Sequence, residues 1–254
     1  MRNDNLGGAS STNGFYQKVK KMLKELYKYR SFNEQALVCL SEGVIWVSKP
    51  SGFNDPFEYS FIVEPDMTFE DVATRNKDAT KSNYLEKQNK LIDDIKKRFE
   101  TGGIFSLSEQ RNISLMWSHY ADYHKGFCIG YEVTNDNDLG NGKCQKVHYG
   151  EYPSFSLLEM FRGVEKMDNN IAKKIFEIMV LSKDKNWRYE YEWRVLYSQS
   201  NELVIPNFKI SSITFGMRMT EWQQKIIMKI LEVKTSLFKA VKSKDSYNVE
   251  IIQI

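Results

Sequence analysis

The run Trp187-Arg188-Tyr189-Glu190-Tyr191-Glu192-Trp193-Arg194 sets two carboxylates two positions apart among aromatic and basic side chains. It leads directly into Val195-Leu196-Tyr197, an apolar stretch with strand character. In an extended chain alternate side chains share a face, so Glu190 and Glu192 are expected on one face and Tyr191 and Trp193 on the other. Paired acids walled by aromatics suit chemistry that stabilises positive charge on a sugar carbon. The structural alternative is an exposed strand face neutralised by Arg188 and Arg194. Adjacent acids raise one another's pKa while nearby arginines lower both.

A second constellation is Leu115-Met116-Trp117-Ser118-His119-Tyr120-Ala121-Asp122-Tyr123-His124-Lys125-Gly126, which holds two of the three histidines. A zinc site would favour helical i,i+4 spacing and a third ligand, and this spacing offers neither. As a pocket wall, Trp117 and Tyr120 are stacking surfaces and His119 is a donor or general base. As structure, the segment is an aromatic core helix. Arg30 ends an aromatic-rich strand, where its planar fork suits a phosphate or carboxylate. Ser48, Ser51 and Asn54 stand on a polar loop that could face a ligand, and Asp55 caps the turn at Pro56.

Those side chains need elements to hold them. The patterning predicts helices over 15–26, 33–40, 81–100, 113–121, 154–163, 168–182 and 220–231. Strands are expected over 26–30, 44–48, 104–108, 127–133, 190–197, 213–216, 236–241 and 248–253. Residues 49–56 are turn chemistry and 135–143 a polar loop. Residues 1–14 read as a disordered leader, and 66–103 as a charged, helical insertion within a single domain over 15–254. Strands interspersed with helices give an α+β fold, not a βαβ array.

Composition sets the outer limits. The 254 residues can bury a sizeable core, and 36 basic against 33 acidic residues leave a net charge of only +3. That balance does not argue for nucleic acid, although 15–30 is locally basic. Cys39, Cys128 and Cys144 have no CxxC spacing, which points to a reducing compartment. No apolar run reaches the roughly 20 residues that span a bilayer. A cytoplasmic protein without a membrane partner is the expectation. No GxGxxG, P-loop or GxSxG motif is present, which weakens kinase, Rossmann dehydrogenase and α/β-hydrolase readings.

Three blocks together resemble a bacterial family, domain of unknown function 2971. They are Leu26–Ser31 through Gly43–Pro50 to Phe53-Asn54-Asp55-Pro56-Phe57-Glu58; Phe105–Glu109 with Met116–Ala121 and His124–Tyr131; and Lys185-Asn186-Trp187 through Glu190–Arg194. Their order, an Arg-bearing strand, a strand ending in Ser and a late Glu-x-Glu, also resembles the ADP-ribosyltransferase pattern. That resemblance implies a split, mainly antiparallel sheet flanked by helices. It implies NAD as substrate, with Arg30 on its phosphates or ribose and Ser48 on the nicotinamide side. Glu192 would grip the nicotinamide ribose and Glu190 would orient or deprotonate the acceptor. Asn54, Trp117, Tyr120 and Arg194 complete the expected cofactor-binding set, and no Ser-Thr-Ser triplet is present.

The expectation is therefore an NAD-dependent ADP-ribosyltransferase or NAD glycohydrolase, acting as a toxin or antiviral defence effector. Its acceptor would be a nucleic acid or a protein. One competing expectation is a metal-independent nuclease using His119 and His124 as acid and base. The other is a non-enzymatic sensor module that binds a nucleotide.

Overall fold

The computed structural model describes residues 23–64, 86, 89, 90, 92–94, 97, 100–156, 169–231 and 235–254. In chain order the strands are β1 (Glu25–Arg30), β2 (Ile45–Val47), β3 (Ile62–Glu64), β4 (Gly103–Ser108), β5 (Phe127–Glu132), β6 (Cys144–Lys146) and β7 (His148–Gly150). They continue with β8 (Ser154–Ser156), β9 (Ser182–Asp184), β10 (Glu192–Tyr197), β11 (Glu202–Val204), β12 (Ile210–Phe215), β13 (Ser236–Lys242) and β14 (Val249–Gln253). The helices are α1 (Glu34–Ser41), α2 (Ser114–Tyr120), α3 (Asn169–Leu181) and α4 (Glu221–Ile230), with 3-10 turns at Pro50–Gly52 and Lys185–Glu190. The described residues between 86 and 97 are helical, as the charge pattern there predicts.

The fold is α+β with mainly antiparallel strand pairing, and the chain divides into two compact units. One comprises Met1–Val44, Leu107–Cys144 and Ile205–Ile254; the other comprises Ile45–Ser106 and Gln145–Val204.

The first unit carries strands in the order β14-β13-β12-β5-β1. All pairs are antiparallel except β12 with β13, which are joined through α4. That helix is the crossover a parallel pair requires. Beyond β1, Tyr27 lies opposite Ser108 of β4. Leu26, Phe127, Ile129, Ile213 and Phe215 are buried and form the apolar face of this sheet. Gly130 sits where three strands crowd: a Cβ there would lie 2.2 Å from Ser212 Oγ and 2.8 Å from Glu25 Oε1. The vacated space lets Glu25 accept hydrogen bonds from Ser211 at 2.5 Å, Ser212 at 2.7 Å and Tyr27 at 2.9 Å. A β-bulge between Ile210 and Ser212 turns both serines toward that carboxylate.

The second unit places β10 between β4 and β6. Three two-stranded pairs accompany it: β2 with β11, β3 with β8 and β7 with β9. Its core gathers Ile104, Phe155, Ile175, Met179 and Val180, with Tyr59 and Phe53 packed at the margin. Gly103 is required here because a Cβ would fall 2.0 Å from the Gln199 carbonyl oxygen.

The expected elements lie close to their observed bounds in most places, whereas the short strands β3, β6, β7, β9 and β11 had no expectation in the sequence. Asn33 caps α1 by accepting from the Ala36 amide at 2.9 Å, as its side chain favours. Thr220 and Gln223 form a capping box at the start of α4. Three expectations are corrected. The helix expected over 15–26 does not extend through Glu25 and Leu26, which belong to strand β1, because the fully paired register Glu25–Arg30 against Phe127–Glu132 outweighs local helical periodicity. Residues 154–156 form strand β8 alongside β3, not the start of a helix. Strand β10 begins at Glu192, because Tyr191 turns left-handed at φ 47° and separates it from the 3-10 helix. The expected leader, the expected helix over 15–22 and residues 157–163 lie outside the described residues.

Candidate functional site

The Glu-x-Glu pair comes together by a route other than strand alternation. Asp184 caps the 3-10 helix Lys185–Glu190 by accepting from the Asn186 amide at 2.8 Å. Glu190 ends that helix, Tyr191 reverses the backbone, and Glu192 opens β10. The reversal buries both carboxylates and leaves Tyr191 exposed. Trp193 is buried, so Tyr191 and Trp193 do not share a face as an unbroken strand would require.

Two cations receive the acids. Lys183 of β9 places Nζ 2.6 Å from Glu190, 3.2 Å from Glu192 and 2.8 Å from Glu58. Arg194, two residues along β10, donates Nε to Glu192 Oε1 at 2.8 Å and Nη2 to Glu192 Oε2 at 2.9 Å. Its Nη1 donates to the Val180 carbonyl at 2.6 Å, and Nη2 also meets Glu58. The guanidinium lies 4.8 Å from the Phe53 ring centroid, and Lys183 Nζ 4.9 Å from that of Trp187. Arg194 is therefore committed to carboxylates and a backbone carbonyl, a structural role in place of the expected cofactor contact.

Glu58 arrives from the first sequence block. Asp55 accepts from the Phe57 amide at 2.9 Å, and the Glu58 amide donates to the Asp55 carbonyl at 3.1 Å. Tyr59 then takes a left-handed conformation at φ 61°. This tight turn, which begins at the end of the turn chemistry expected over 49–56, carries the Glu58 side chain inward until only 3% of it is exposed.

The electrostatics follow from desolvation opposed by opposite charge. Burial favours the neutral Glu192 carboxyl, but Arg194 and Lys183 beside it, with hydrogen bonds from Arg194 and Ser106, hold its pKa at about 2. Burial works against charge on Lys183, yet Glu192, Glu58 and Glu190 raise its pKa above the ordinary value. Burial raises the Tyr149 phenol, and the Glu192 charge raises it further. The Tyr149 oxygen accepts from the Glu192 amide at 2.8 Å, which fixes the start of β10.

A small cleft opens beside the network, bordered by Asp55, Phe57, Glu58, Tyr59, Tyr152 and Lys183. Glu58 and Lys183 are thus common to network and cleft. Sequence reasoning left both without a role. Glu58 was visible as the acid closing the Asn-Asp-Pro-Phe-Glu turn, whereas Lys183 had no local signal.

The second constellation belongs to the other unit. Trp117 is fully buried, and its indole N–H donates to the Arg111 carbonyl at 2.9 Å. Tyr29 meets it edge-on at 5.2 Å and His124 stacks on it at 6.4 Å. Trp117 is a core residue and not an open stacking surface. Asp122, Tyr123 and His124 all have positive φ, a run that turns His124 back to share a 3.1 Å hydrogen bond with Ser118. Burial, with the Arg218 charge, lowers the His124 pKa and favours the neutral ring. His119 is exposed and packs against half-buried Tyr120 at 6.2 Å.

Of the remaining expected residues, Arg30 is half-buried at the end of β1, opposite Phe127. Ser48 exchanges backbone hydrogen bonds with Ile104 at 3.0 and 2.9 Å, and Asn54 is exposed. Ser48, Asn54, Glu190, Glu192 and Arg194 belong to one unit, and Arg30, Trp117, His119 and Tyr120 to the other. Cys39, Cys128 and Cys144 are buried free thiols. Among the described residues no group of three or more His, Cys, Asp or Glu is placed to hold a metal ion. None of the described helices is long and apolar enough to cross a membrane.

Residues 116–195 match the model of a family described as a protein of unknown function, DUF2971. The match takes in the second constellation and the Glu-x-Glu run, and it bears out the family resemblance read from those blocks. No curated protein and no solved structure matches the chain.

Proposed function

We propose that the protein cleaves the nicotinamide–ribose bond of NAD, as an ADP-ribosyltransferase-like enzyme or an NAD glycohydrolase. The observation that carries this reading is the buried network beneath the cleft. Among the described residues its ion pairs join three carboxylates, Glu58, Glu190 and Glu192, to two cations, Lys183 and Arg194. These charges are buried in a desolvated place, where they act strongly on whatever occupies the cleft.

Fixed carboxylates suit the reaction. As the C1′–N1 bond breaks, its electron pair leaves with nicotinamide and the ribose becomes oxocarbenium-like. Water attacking C1′ completes glycohydrolysis, and a nucleophile on a nucleic acid or protein completes transfer. Glu192, ionised and hydrogen-bonded through both oxygens, fits a fixed electrostatic stabiliser and not a proton carrier. Phe57, Tyr59 and Tyr152 offer aromatic surface for the leaving ring.

The test is nicotinamide release from NAD by purified protein, compared with Glu192→Gln of verified fold. Release by the wild type is expected, with a loss of at least about a hundredfold in the variant, the scale of a removed electrostatic stabiliser. No release when water, nucleic acid and protein acceptors are all available overturns the proposal. NAD binding without turnover would instead identify a nucleotide-binding sensor module.

A further inference from the structure

In the unit that carries the second constellation, a serine hydroxyl meets an imidazole. Ser118 Oγ on α2 lies 3.1 Å from His124 Nε2, and both residues are only half-buried. The ring and its backbone are fixed on two sides. The ring stacks on Trp117 at 6.4 Å with 13° between the planes, and the His124 amide donates to the Trp117 carbonyl at 3.1 Å. On the other side the Arg218 amide donates to the His124 carbonyl at 3.0 Å. Gly216 permits that approach, since a Cβ there would lie 2.2 Å from the His124 carbonyl oxygen.

Presenting the ring in this way is costly. Asp122, Tyr123 and His124 are left-handed in succession, at φ 44°, 52° and 70°, a conformation that residues other than glycine resist. His124 Nδ1 is buried without a hydrogen-bond partner among the described residues. Backbone strain and an orphaned buried nitrogen gather where a side chain is held for chemistry. A neutral imidazole with its hydrogen on Nδ1 leaves Nε2 to accept from the Ser118 hydroxyl, which is what a general base requires. Burial, with the Arg218 charge, keeps the ring neutral. Asp122 and Lys125, the charged groups on its own turn, are exposed to water.

We propose that Ser118 and His124 are a nucleophile and its general base, a reactive site for carboxylic esters. Ser118 Oγ attacks the ester carbonyl carbon while its proton passes to His124 Nε2. The bond from that carbon to the alcohol oxygen breaks, and the alcohol leaves with the proton. Water then attacks the acyl-serine, and His124 takes a proton from the water and returns it to Ser118 Oγ as the carboxylic acid departs. The pair belongs to the unit that lacks Glu58, Glu190 and Glu192, so the proposal goes beyond the NAD reading and does not rest on it.

The probes are p-nitrophenyl acetate, followed by release of p-nitrophenol, and a fluorophosphonate, followed by mass spectrometry of the protein and its peptides. With the second probe the Oγ–P bond forms, the P–F bond breaks and fluoride leaves, while the proton passes through His124 to solvent. A single phosphonyl group on Ser118 is expected, absent from Ser118→Ala. His124→Gln keeps an amide beside the hydroxyl but accepts no proton, and it is expected to slow both reactions by at least about a hundredfold. The wild-type rate should fall as pH drops through the His124 ionisation, which lies below the ordinary 6.5, and the variant should lose that dependence. A merely structural role would lower the unfolding midpoint of both variants and leave the wild type unlabelled. Should His124→Gln not fold, Ser118→Ala and the wild-type pH profile carry the test. No adduct, an adduct elsewhere than Ser118, or p-nitrophenol release that persists in Ser118→Ala overturns the proposal.

Discussion

At the scale of single residues, the balance at Glu192 decides how the protein responds to acid. Its carboxyl is held at about 2 against an ordinary 4.5, so the folded state takes up a proton less readily than the unfolded chain. The resulting stability is fully present above about pH 4.5 and is lost as pH falls toward 2. It is on the order of 3 kcal/mol, counting 1.36 kcal/mol for each pKa unit. Denaturant midpoints measured between about pH 5 and pH 2.5 should fall steeply in the wild type and less steeply in Glu192→Gln. Lys183 acts in the opposite sense: its raised pKa keeps its contribution intact below 10.5, and only strong alkali removes it. The pairing of Glu190 and Glu192 was legible from spacing. Its neutralising partners were assigned to Arg188 and Arg194, whereas the structure gives Lys183 and Arg194, since Arg188 is exposed on the 3-10 helix. A lysine seven and nine residues from its acids leaves no periodic trace in the chain.

At the scale of elements, one left-handed residue makes the site. Tyr191 at φ 47° ends the 3-10 helix and starts β10, and without that reversal Glu190 and Glu192 could not both reach Lys183. Side chains branched at Cβ resist this conformation, while glycine adopts it freely. Tyr191→Val is therefore expected to lower stability by about 1–2 kcal/mol, and Tyr191→Gly to leave it unchanged or raise it slightly. Equilibrium unfolding in urea measures both, and equal losses in the two variants would assign the effect to the lost ring and not to the backbone. The turn at Asp55–Tyr59 works alike, with Tyr59 at φ 61° closing the reversal that delivers Glu58. Turn chemistry at 49–56 was plain in the sequence, but the direction in which the turn throws Glu58 depends on backbone angles that residue types do not specify. Helices α1 and α4 were placed to within a residue or two because their caps are local signals. Strand β1 was partly misread as helix because its partners lie about a hundred residues away.

At the scale of the whole molecule, neither unit is one continuous stretch of chain. The chain changes unit at 44/45, 106/107, 144/145 and 204/205. Strands β12, β13 and β14, which complete the first unit's sheet, follow the whole second unit in sequence. A fragment of residues 1–144 retains β1 and β5 but exposes the β5 edge that β12 covers, and it is expected to remain unfolded by circular dichroism and proteolysis. A cooperatively folded fragment would show that the first unit needs no C-terminal strands. What the sequence determined by itself was local: caps, turns, the alternation of most strands and the presence of paired acids, each set by residues a few positions apart. The tertiary structure alone decided that Lys183 and Glu58 join Arg194 around those acids, and that Trp117 belongs to the core. Buried ion pairs and ring packing are settled by distance in space, which the order of residues along the chain does not encode.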